Sequence, residues 1–91
     1  MPDAPLDTTW VPSTRTLSTS ALPLGATRLE AWRVGLGAMP ELLLTAGPGA
    51  TTIIIPATIT FTPGGFYQLW LVGVNSKGRS GAGPNQNWTA P

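Results

Sequence analysis

Phe61-Thr62-Pro63-Gly64-Gly65-Phe66-Tyr67-Gln68-Leu69-Trp70-Leu71-Val72-Gly73-Val74-Asn75-Ser76-Lys77-Gly78-Arg79-Ser80 carries a corner, a strand and a turn in succession, and the rest of the chain is organised around it. Pro63-Gly64-Gly65 marks a tight corner, because proline presets its own φ and glycine tolerates the left-handed conformation that sharp turns need. Beyond the corner, Tyr67, Leu69 and Leu71 alternate with Gln68, Trp70 and Val72. This is the two-residue period of a strand with its first set turned to a core and its second set turned away. Asn75-Ser76-Lys77-Gly78 then reverses the chain.

Upstream, residues 51–61 alternate in the same way. Ile53, Ile55, Ala57, Ile59 and Phe61 fall on one face and Thr52, Ile54, Pro56, Thr58 and Thr60 on the other, and the β-branched content suits a pleated surface. Pro56 cannot donate to a ladder, so this strand is expected at a sheet edge. Residues 27–36 form another strand, with Leu29 and Ala31 opposite Glu30, Trp32 and Val34. The run Leu42-Leu43-Leu44, between Pro40 and Gly47-Pro48-Gly49, leaves too little room for an ordinary helix and is read as a strand over 39–46. Three short strands, over 7–11, 15–21 and 85–89, complete the set. In the second of these Leu17, Thr19 and Ala21 share a small inner face, and Trp10 is a bulky side chain able to fill the space they leave. Residues 1–6, Met-Pro-Asp-Ala-Pro-Leu, form an extended arm that is either loose or laid against a neighbour. Residues 7–91 form one domain.

The composition narrows the function more than it names it. With 91 residues and no cysteine, the chain has one core and no disulfide, so packing alone stabilises it. Charged residues are 10% of the chain, with a net charge of +1, against about 25% charged residues in typical soluble domains. The surface is therefore dominated by Thr, Ser, Gly, Asn and apolar groups. Such a surface favours association, although a Thr-rich monomer has the same composition. No basic cluster of the kind nucleic acid attracts is present. No apolar run approaches the roughly 18 residues of a membrane-spanning helix. The N-terminus has neither the basic segment nor the apolar run of a secretory signal, so export by that route is not expected.

Short strands separated by turn signals, without helices, lead to an all-β, two-sheet antiparallel β-sandwich of about seven strands. The chain also resembles the fibronectin type III domain. The resemblance is carried by Phe61, Pro63, Gly64 and Tyr67, followed by Leu69, Leu71, Gly73, Val74, Asn75-Ser76 and Gly78, with Gly25-Ala26-Thr27-Arg28-Leu29-Glu30-Ala31-Trp32-Arg33 similar to that family's third strand. It implies an immunoglobulin-like sandwich in which Phe61, Pro63, Gly64 and Tyr67 are a structural corner, with the Tyr67 ring buried and its hydroxyl bonded back to nearby backbone. The chain departs from the family on the second strand, where Thr19 or Ser20 stands at the position of the family's usual core Trp.

Without His or Cys, the common nucleophile–base pairs and most transition-metal sites are unavailable. The four carboxylates, Asp3, Asp7, Glu30 and Glu41, are scattered, whereas paired-carboxylate chemistry needs two close together in a cleft. A non-enzymatic chain without catalytic, metal or cofactor residues is therefore expected. Gly47-Pro48-Gly49 lacks the lysine of a phosphate loop and is read as a turn. Asn87-Trp88-Thr89 fits the N-glycosylation pattern, which matters only in a secretory pathway, and is taken as chance.

The positive candidate is a surface. If the strands over 27–36 and 66–74 are neighbours, as the resemblance implies, Trp32, Val34, Trp70 and Val72 all point outward and form a candidate protein interface. The competing reading is that Trp32 and Trp70 cover each other and the stems of Arg28 and Arg33. Lys77 and Arg79, in the following turn, are read as solvated cations that could also meet a partner. Stand-alone domains of this kind without a secretion signal resemble accessory proteins of phage particles, which dock through sheet faces and extended arms, so a virion or similar extracellular assembly is the expected setting, with docking through the apolar sheet face and the N-terminal arm. The alternative is an adhesive or spacer module of a larger secreted protein, with its Trp pair stacking on carbohydrate.

Overall fold

The computed structural model describes residues 1–91. Its strands are β1 (Thr9–Val11), β2 (Thr16–Ser18), β3 (Arg28–Gly35), β4 (Glu41–Thr45), β5 (Thr52–Ile54), β6 (Phe66–Asn75), β7 (Gly78–Arg79) and β8 (Gln86–Thr89), and no helix is present. The first sheet has the order β1-β2-β5. The second has the order β4-β3-β6, with β7 and β8 both pairing along the far side of β6. Every pairing is antiparallel.

Two of these strands are one strand interrupted. Ser80 N–H donates to Gly73 O at 2.8 Å and Gly83 N–H to Leu71 O at 2.9 Å, so the chain keeps contact with β6 between β7 and β8. This accounts for eight elements where about seven were expected.

The core joins the inner faces of both sheets. Leu17 and Ile53 from the smaller sheet meet Leu29, Ala31, Leu69 and Leu71 from the larger, together with Ala46 and Ile55. Leu17, Leu29, Leu69 and Leu71 are wholly inaccessible to solvent. Two antiparallel sheets packed through alternating inward residues make a sandwich-like all-β architecture. Trp10 lies opposite Leu17 in the β1–β2 pairing and packs on this core, which compensates for the small Thr19.

The strand expected over 51–61 is much shorter than its alternation implied. It does run along the edge of its sheet, but it ends at Ile54. Pro56 has no N–H to offer a ladder, and a turn closes there with Ile59 N–H donating to Pro56 O at 3.0 Å. Ala57 is consequently exposed, as is Ala21 past the end of β2, whereas Ile53 and Ile55 are buried as expected.

The arm packs on its own domain. Pro2 and Pro5 are buried, and Asp3 N–H donates to Leu24 O at 2.9 Å. Two glycines make room for it. A Cβ on Gly73 would stand 2.9 Å from Asp3 O, and one on Gly83 would stand 3.2 Å from the Pro5 Cβ. Asp7 then fixes the start of the domain by accepting hydrogen bonds from Thr19 Oγ1 (2.5 Å), Ser20 N (3.0 Å) and Ser20 Oγ (3.1 Å).

Candidate interface on the outer face of the larger sheet

The register of the larger sheet arranges its outward side chains in rows. From one end to the other these are Arg28–Val74–Arg79, Thr45–Glu30–Val72, Leu42–Trp32–Trp70, Val34–Gln68–Asn87 and Phe66–Thr89. Trp32 and Trp70 are direct cross-strand neighbours, and both are half-buried. A bulge in β4 at Leu43, opposite the Ala31–Trp32 step, brings Leu42 into the Trp row. Nothing in the residue pattern of Leu42-Leu43-Leu44 signals which leucine is displaced, so Leu42 escaped sequence reasoning.

Two of the expected interface residues behave differently. Val72 is not exposed, and only 5% of it is accessible. Arg79 is not a free solvated cation. Its Nε and Nη2 reach Glu30 Oε1 and Oε2 at 2.7 and 3.2 Å, and because β6 lies between β7 and β3, this ion pair crosses directly over β6. Val72 sits opposite Glu30 under that crossing. Trp32 joins the same group, donating from Nε1 to Glu30 Oε1 at 3.1 Å with the Arg79 guanidinium 5.5 Å from its ring centroid. Glu30 holds the Arg79 guanidinium above its ordinary pKa range, through hydrogen bonding first and charge attraction second. Lys77 is exposed in the turn, its backbone N–H donating to Asn75 Oδ1 at 2.8 Å.

Arg33 lies on the opposite side of the sheet from the Trp pair, so the stems covered by the Trp rings do not include it. It closes the end of the sandwich where the structural corner sits. Its Nε pairs with Glu41 Oε1 and its Nη1 donates to Thr60 O, both at 2.7 Å. Phe61 lies between two guanidinium groups, Arg33 at 4.8 Å and Arg15 at 5.0 Å from the ring centroid. Arg15 also donates to Ile59 O and adopts φ 54°, a left-handed conformation that costs an ordinary residue about 1–2 kcal/mol. These two arginines hold the carbonyls of the segment entering β6, a role that sequence reading did not assign to them.

At Phe61, Pro63, Gly64 and Tyr67 the chain turns into β6, and the Tyr67 ring, expected to be buried, is only half-buried because one side of it lines an open groove. Tyr67 Oη accepts a hydrogen bond from Thr62 N at 2.7 Å, and its ring meets Phe61 edge-on at 5.0 Å. Gly64 turns with φ 76°. Phe61 and Trp10 in turn each meet Trp88 edge-on, at 5.0 and 5.3 Å. Hydrogen bonding by Thr62, helped by the charge of Arg33, lowers the Tyr67 phenol below its usual pKa.

Beside this corner is an open groove of about 490 Å³, lined in part by Arg33, Glu41, Thr60 and Tyr67. Its charged groups and the Tyr67 hydroxyl are paired with one another or with backbone. Asp3 and Asp7 line a smaller depression at the opposite end of the domain from Glu41. No group of three or more His, Cys, Asp or Glu side chains converges to hold a metal ion. Comparison with family models, curated protein sequences and solved structures returns no match to this chain.

Proposed function

We propose that this chain is a non-enzymatic interaction module of the fibronectin type III kind, serving as a small accessory or decoration protein of a phage particle or a similar assembly. The observation that carries the docking reading is the direct opposition of Trp32 and Trp70 at the centre of the larger sheet's outer face, flanked by Leu42 and Val34. Tryptophan and arginine are the residues most enriched among interface anchors, and here they share one face. The family reading draws support from the strand order β1-β2-β5 and β4-β3-β6 with β7 and β8, and from the Tyr67–Thr62 bond. The packed arm is left out of the proposed contact. Localisation to a released particle follows from this reading.

The test is to follow the chain carrying Trp32→Ser and Trp70→Ser into the particle or surface fraction with which the native chain sediments. We expect the double variant to keep its circular dichroism spectrum and to be lost from that fraction. Undiminished incorporation would overturn the reading. The in-register Trp pair beside the amides of Gln68 and Asn87 also fits a sugar-stacking surface on an adhesive or spacer module of a larger secreted protein. Retention on insoluble polysaccharide that the same double variant abolishes would favour that alternative.

A further inference from the structure

We infer that the outer face of the larger sheet docks a second copy of this chain, the two sheets stacking about a two-fold axis that runs in the interface along the Leu42–Trp32–Trp70 row. The inference rests on the reading of this face as an interface and adds its occupant and geometry.

Charge is distributed unevenly along the rows. One end is cationic. Arg28 has no ion-pair partner, and Arg79 retains half of its side-chain exposure while its charge is shared with Glu30. Lys77 stands nearby, in the turn between β6 and β7. The other end, Val34–Gln68–Asn87 and Phe66–Thr89, carries no charge at all. It presents an exposed aromatic ring, Phe66 at 41%, together with amide and hydroxyl acceptors.

Rotation about the Trp row lays the cationic end of each copy over the uncharged end of the other. Arg28 and Arg79 then meet Phe66, Gln68 and Asn87, giving cation–π and hydrogen-bond partners, and the apolar row meets itself. The alternative two-fold, along the strands, would lay the cationic end of one copy over the cationic end of the other, with Arg28 facing the side that carries Arg79, and like charges held together are costly. The face is therefore self-complementary in one orientation and self-repelling in the other, as an isologous contact requires.

The size is sufficient. Ten residues of β6 span about 34 Å and the four-strand width about 19 Å, on the order of 600 Å² a side. Two such faces bury about 1,200 Å², at the lower edge of the standard class of specific interfaces. A net charge of +1 adds almost no long-range repulsion between copies.

The closing experiment uses the absence of native cysteine. Val74→Cys and Phe66→Cys variants, each distinguishable by mass, are mixed and treated with a short bifunctional maleimide. We expect Val74→Cys to couple to Phe66→Cys well above either variant coupling to itself, and sedimentation velocity of the native chain to move from monomer toward dimer as concentration rises. A native chain that stays monomeric throughout the range, or cross-links between identical variants that equal the mixed product, would overturn the inference. Sedimentation of the Trp32→Ser/Trp70→Ser chain separates the two ideas. If the native chain is monomeric yet the double variant still fails to join its particle, the self-docking geometry is wrong and the interface reading stands.

Discussion

Gly73 is the position at which a single methyl group should undo the seating of the N-terminal arm. A Cβ there would lie 2.9 Å from Asp3 O, 3.2 Å from the Ala26 Cβ and 3.4 Å from the Pro23 Cγ. The first contact is with backbone, so the arm must move, and its movement strains the Asp3–Leu24 hydrogen bond and the burial of Pro2 and Pro5. Forcing an extra methyl into a packed site costs about 1–3 kcal/mol. For a domain of this size that is a fall in Tm of about 4–8 °C for each kcal/mol. The assay is a double-mutant cycle by urea denaturation, pairing Gly73→Ala with deletion of residues 1–5. Without the arm the closest contact is gone, and relief of glycine's excess chain entropy, about 0.4–1 kcal/mol, acts against what remains. We expect a coupling of about 1 kcal/mol or more between the two changes. An equal penalty for Gly73→Ala in both backgrounds would show that the arm is not what resists the methyl group, and would put the resistance in Pro23 and Ala26.

Two further predictions concern the core and the acid range. Leu71→Ala, at a wholly buried side chain between the sheets, should cost about 2–5 kcal/mol, read as a lower urea midpoint. A loss below that range would mean the site collapses around the vacancy. Asp7 has its carboxyl pKa lowered by the hydrogen bond from Thr19 first and by Ser20 after it. A depressed folded-state pKa contributes stability that is present above the unfolded value of about 3.9 and disappears as pH falls through the folded value. Asp7→Asn should flatten that part of the acid denaturation profile while leaving the midpoint's response to pH above it unchanged. A variant that keeps the native slope in acid would show that other carboxylates govern it.

How far the sequence could be read is clearest from particular residues. The alternation of Tyr67, Leu69 and Leu71 with Gln68, Trp70 and Val72 is a property of the strand itself, so the inward placement of Leu69 and Leu71 was legible. The opposition of Trp32 and Trp70 was legible only after two strands were assumed to be neighbours, because register is not written in either strand alone. Over 51–61 the pattern misled. Periodicity promised eleven residues of strand, and the missing N–H of Pro56 ended it after three.

The all-β character of the chain and the inward residues of its longest strands, Leu29, Ala31, Leu69 and Leu71, were readable from the residues alone, because local alternation and turn chemistry are short-range and stereochemical. The composition of the outer face depends on how the strands pack together. That packing set Glu30 on β3 within reach of Arg79 on β7, laid their ion pair across β6 over Val72, moved Leu42 into the Trp row through a bulge, and folded the arm onto Gly73 and Gly83. The residues in each of these contacts lie on different strands or at opposite ends of the chain, or depend on a local shift in register. Long-range contacts and register of that kind follow from the packing of the whole chain, and no short-range pattern encodes them.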